Sequence, residues 1–132
     1  MAESTNVQIV SWTIPDPGGD DKQIHLLKAP SDANGGGITI VGAYATNQAA
    51  TGAGTTFTYQ LLTYAASGTS VSGTITDILG GTAAAWAAET PKAFTITDAF
   101  VDAGEWIVLD YQEVASGNPT NSVITLQYVM GK

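Results

Sequence analysis

The chain has 132 residues, of which 44% are hydrophobic, with a mean hydropathy of +0.11; a domain of this size buries roughly two thirds of its unfolded surface, which argues for one folded core and against both a second core and a disordered chain. Its net charge is -8 and its four cations are all lysines, Lys22, Lys28, Lys92 and Lys132, so it lacks the clustered Lys and Arg that nucleic-acid binding and docking on an anionic membrane need. It has no cysteine, which removes disulfides, thiolate catalysis and Cys-ligated zinc together.

Apolar residues alternate with polar ones over short windows separated by Gly, Pro, Asn and Asp, the pattern of short strands. Residues 1–6 are polar, with no basic region and no apolar run, and do not read as a signal peptide. Residues 1–21 read as an N-terminal arm or as a first strand with its loop, and residues 22–132 as the sandwich of a single-domain chain. The first strand, 6–14, changes phase: Val7 and Ile9 lie on one face and Val10, Trp12 and Ile14 on the other, which a bulge or burial of both faces would explain. Pro15, Pro17, Gly18 and Gly19 make the next segment a loop.

Strands are expected next at 22–29 and 37–46, with a turn at Asn34-Gly35-Gly36 between them. Ile38, Ile40 and Val41 make both faces of the second of these apolar, as in a central or covered strand. After a turn at Gly52-Ala53-Gly54, strands at 55–65 and 70–79 set Phe57, Tyr59 and Leu61, then Val71, Gly73 and Ile75, against threonine-rich opposite faces. Residues 82–89, Ala-rich around Trp86 and stopped by Pro91, carry helix propensity but read as an irregular crossover. Phe94 and Ile96 share a face of a strand at 92–97, and Asp98 and Asp102 flank the turn that follows. The last strands, 104–114 and 121–130, group Ile107, Leu109 and Tyr111, then Ile124, Leu126, Tyr128 and Met130; Gly117-Asn118-Pro119 turns between them. The expected class is therefore all-β: an antiparallel β-sandwich, jelly-roll-like, of about eight strands, with an up-and-down barrel as the other topology.

Catalytic chemistry finds little footing. His25 is the single histidine and sits within a strand pattern; no Cys, second His or Gly-x-Ser-x-Gly elbow accompanies it. Asp77, Asp98, Asp102, Glu105, Asp110 and Glu113 offer carboxylates for paired acid–base work, but turns and surface positions account for most of them. Asp16, Asp20 and Asp21 form a weak calcium loop that lacks the EF-hand spacing, and an acidic solvated loop is the plainer reading. The glycine-rich stretches match no phosphate-binding motif. Of the three tryptophans, Trp12 shares a face with Val10 and Ile14, and Trp106 with Val108, which points to core or interface; Trp86 and Trp106 are the residues that would stack on a sugar.

Only 12% of residues are charged, about half the usual share, and a surface so poor in charge tends to end against another surface; the other reading is a secreted or repetitive β-protein whose Thr-rich outer faces simply face water. Residues 56–62, 81–88, 103–111 (Ala-Gly-Glu-Trp-Ile-Val-Leu-Asp-Tyr) and 123–129 resemble a type of small virion protein of tailed bacteriophages. The resemblance is one of style over somewhat more than half the chain and carries no functional residue across. It implies a jelly-roll structural protein located in the virion, without enzymatic activity or cofactor. Such a protein would bind and stabilise a capsid as a decoration protein, or a tail assembly, with the major capsid or other virion proteins and its own copies as partners. The other expectation is a carbohydrate-binding β-sandwich module using exposed Trp.

Overall fold

The structure is a computed structural model that describes residues 6–14, 21–31, 36–46, 56–82, 90–114 and 122–131. The segment around Trp86, the turns at 52–54 and 117–119, and the loop holding Asp16 and Asp20 lie outside these residues.

Ten strands occur among the described residues: β1 (Gln8–Ile14), β2 (Asp21–Lys28), β3 (Ile38–Thr46), β4 (Thr56–Tyr64), β5 (Val71–Thr74), β6 (Leu79–Thr82), β7 (Lys92–Ala93), β8 (Phe100–Val101), β9 (Trp106–Val114) and β10 (Ser122–Met130). They form two antiparallel sheets. The first runs β1-β10-β3, with β7 and β8 both against the far side of β3; the second runs β2-β9-β4, with β5 and β6 both against β4. Counting β5 with β6, and β7 with β8, as two interrupted edge strands leaves eight paths, which is the number expected. Their order then interleaves the two halves of the chain: first, last, third and sixth in one sheet, and second, seventh, fourth and fifth in the other. That is the winding of a jelly roll; in an up-and-down barrel, neighbours would follow chain order.

The interruptions have a common cause. Midway along β5–β6 the chain turns inward: the amides of Ile75 and Thr76 donate to the Leu61 carbonyl, while Leu61 N–H donates to Thr76 Oγ1 at 3.1 Å. There it meets the other edge. Asp77 N–H donates to the Thr95 carbonyl at 2.9 Å, Thr97 N–H donates to the Ile75 carbonyl at 2.8 Å, and Thr76 bridges Ile96. The strand expected at 92–97 is thereby reduced to β7. The backbone rejoins β3 only at β8, in a stretch whose sequence reads as a turn. One side of the sandwich is thus closed by main-chain hydrogen bonds between the sheets.

The core lies between the sheets, and the alternation expected for the long strands supplies it. Tyr59 and Leu61 of β4, Ile107, Leu109 and Tyr111 of β9, and Ile124 and Leu126 of β10 are at most 1% exposed; full burial of such a side chain contributes about 1.5–3 kcal/mol. β3 is central, as its apolar faces implied. An extra residue, Val41, interrupts its register with β10 and is exposed.

Two expected faces differ. β1 holds an unbroken register with β10, so its phase change is no bulge: Val10, Trp12 and Ile14 face the core, while Val7 and Ile9 are left outside, 49% and 66% exposed. Val71 does not share the core face of Ile75, because β5 has one residue too many. Thr63 pairs with Gly73 and Tyr64 with Val71, so Ser72 is bulged and Val71 swings outward to 56% exposure.

Candidate functional site

The outer faces of the two sheets differ in chemistry. On the second sheet, consecutive apolar residues place one set inside and a second set outside. Leu62, Tyr64 and Val108 form a buried cluster of their own with Trp106 packed against it, separate from the main core. A chain reversal at residues 65–70 lies over this cluster. His25 Nε2 is 2.7 Å from the Gly68 carbonyl, and Trp106 Nε1–H donates to the Ala66 carbonyl at 3.3 Å. The His25 ring stands edge-on to Tyr64 and to Trp106, with centroids 5.4 and 5.5 Å apart, and the Lys28 ammonium sits 5.5 Å over the Trp106 ring. Gly68 adopts φ +77°, and a Cβ there would lie 3.4 Å from Trp106 Nε1 and 3.5 Å from His25 Nε2, so the reversal is fitted closely to the two rings.

Further along the same face is a polar row. Gln23 Nε2 donates to Asp110 Oδ1 at 2.9 Å, Gln112 Nε2 reaches Asp110 Oδ2 at 3.4 Å, and Gln60 Nε2 donates to the Thr76 carbonyl at 3.2 Å. Glu105 accepts from the Asp102 amide at 3.1 Å and from the Ser72 hydroxyl, which fastens its turn to the β5 bulge. Asp77, Asp98 and Asp102 are exposed, and Glu113 pairs through its backbone with Phe57.

The residues singled out from sequence are therefore scattered. Trp106 and His25 come together in one cluster; Trp12 packs half-buried against the main core. Asp21 of the expected calcium loop opens β2 opposite Gln112, while the loop's other two carboxylates, Asp16 and Asp20, and Trp86 lie outside the described residues. Among the described residues no group of three or more His, Asp or Glu is placed to hold a metal ion.

The first sheet carries a different surface. No residue of β1, β10 or β3 is charged, and these three long strands are adjacent in one sheet. Their outward positions are all uncharged, aliphatic, aromatic or polar: Ile9 and Thr13 on β1, Thr125, Gln127 and Val129 on β10, Val41 and Tyr44 on β3. Val7 and Val41 are 49% exposed and Ile9 66%, and Ser11 Oγ is bonded to Thr125 Oγ1 across the strands at 2.9 Å. Reading strand by strand finds the alternation but misses this face, since only the sheet order brings its three strands together. No protein-family model, curated protein or solved structure matches the chain.

Proposed function

We propose that this chain is a non-catalytic structural protein of a virion, a jelly roll that lies against a protein lattice, capsid or tail, and stabilises it. The observation that carries this reading is the three-strand face made by β1, β10 and β3, on which no charge stands although the whole chain bears -8. A charge-free sheet face with aliphatic side chains partly exposed loses little on desolvation and gains from apolar contact, so it suits a broad, permanent interface. The described charged groups of the strands lie instead on β2, β9 and the two-residue edge strand β7, where they keep the remaining surface soluble.

Two further observations support a structural role. The one histidine is engaged by Gly68, Tyr64 and Trp106, and Asp110 is held by Gln23 and Gln112. These two of the residues considered for acid–base work thus take part in contacts within the fold. The test is composition and reconstitution: mass spectrometry finds the chain at a fixed stoichiometry in purified particles, and purified chain rebinds particles assembled without it. Absence from the particles, together with failure to rebind, overturns the reading.

A further inference from the structure

β1 is the outermost strand of its sheet and pairs, among the described residues, with β10 alone. An edge strand presents a row of unpaired N–H and C=O groups, and proteins blunt such edges with charge, proline, bulges or short length. Three of the four edges here are blunted. β2 carries Lys22 and Lys28 and breaks register at Leu26. The β5–β6 edge is two four-residue pieces with a bulge at Ser72. β7 and β8 are two residues each. β1 has none of these devices: Gln8–Ile14 contains no charge, proline or glycine, and its seven residues keep one register.

Its side chains are also incompletely covered. Val10 and Trp12 face the core but stay half-buried, whereas Leu126 and Ile124, their neighbours across on β10, are 0% exposed.

We propose that β1 is the seam of a homodimer, in which a second copy of this chain adds its own β1 antiparallel and joins two sheets into one. A second copy is the occupant that charge and symmetry favour. Each molecule carries -8, and a charge-free strand is where two such molecules meet with least repulsion. A twofold axis at Ser11 sets Val10 opposite Trp12 of the second copy and Ile9 opposite Thr13 of the second copy. Inward residues thus meet inward ones, and the half-buried Val10 and Trp12 gain the neighbours they lack. The seam uses the strand's edge and is independent of what the outer face docks onto.

Sedimentation velocity of the full chain over a range of concentrations tests this. The expected result is a monomer–dimer equilibrium in which Ser11→Lys and Thr13→Lys each raise the dissociation constant roughly tenfold or more: Ser11→Lys sets two ammonium groups opposite each other on the axis, and Thr13→Lys puts a charge on the pairing edge opposite the apolar Ile9 of the second copy. Val41→Lys, on the same sheet but away from the edge, leaves it unchanged, and thermal melting shows which variants are folded; if one lysine variant fails to fold, the other decides. In this cysteine-free chain, Ser11→Cys gives a disulfide-linked dimer on oxidation and Val41→Cys does not. A wild-type chain that remains monomeric, or folded lysine variants that dimerise as the wild type does, overturns the seam. Neither result touches particle binding, so failure of the seam and failure of the virion reading are separately visible.

Discussion

The Nε2 of His25 lies 2.7 Å from the carbonyl oxygen of Gly68, joining β2 to a chain reversal 43 residues further on. A carbonyl oxygen only accepts, so Nε2 carries the proton. This bond, with the edge-on contacts to Tyr64 and Trp106, holds residues 65–70 down over the outer cluster of the second sheet. His25→Ala is expected to cost about 1–2 kcal/mol in equilibrium denaturation. Amides 66–70 should exchange faster with solvent while those of β4 and β9 do not.

Two glycines with positive φ test how closely the turns are fitted. At Gly68 an added methyl meets side-chain atoms at 3.4 Å or more, so Gly68→Ala should cost only the backbone strain, about 1–2 kcal/mol. At Gly37, φ +85°, the same methyl would stand 2.7 Å from the Val101 carbonyl oxygen and 2.7 Å from the Phe100 ring. Backbone must shift there, and Gly37→Ala is expected to lose about 3 kcal/mol or more. Denaturation of both variants should give this order.

Thr76 is buried at 0% exposure, and its Oγ1 accepts the Leu61 amide at 3.1 Å where the two edges join. Thr76→Val keeps the shape but deprives that amide of its acceptor, so a loss of about 1–3 kcal/mol is expected by urea denaturation. A neutral result would mean that the join between the edges contributes nothing to stability.

Core truncation should separate structural from contact residues. Leu109 is 0% exposed on a central strand, and Leu109→Ala is expected to cost about 2–5 kcal/mol. Val41 is 49% exposed, and Val41→Ala should change stability by less than about 0.5 kcal/mol. The two melting curves, run side by side, check this.

Much of the fold is legible in the sequence because burial in a two-layer sandwich writes itself as period two. Ile107, Leu109 and Tyr111, and likewise Ile124 and Leu126, sit where alternation puts them. Alternation fails at Val71, where the bulged Ser72 reverses the phase; along 92–97 it still sets Phe94 and Ile96 toward the core and Thr95 and Thr97 outward, but hydrogen bonds to the opposite sheet decide the path and shorten the strand. Neither is a local property of the chain. The outer cluster was partly visible in doubled apolar pairs, Leu61-Leu62 and Ile107-Val108, which mark strands buried on both faces. The charge-free face could not be read the same way, since β1, β3 and β10 are far apart in sequence and only the jelly-roll order sets them side by side.

The most direct test of that face is the binding of wild-type chain and of Val41→Asp to particles assembled without the chain, followed by co-sedimentation. Val41→Asp should keep its melting temperature, because the side chain is exposed in the free protein, yet bind roughly tenfold or more weakly, because docking would bury an unpaired carboxylate. Saturable wild-type binding that the aspartate weakens is the result expected. Equal binding by the two chains would contradict the claim that the uncharged sheet is the contact surface.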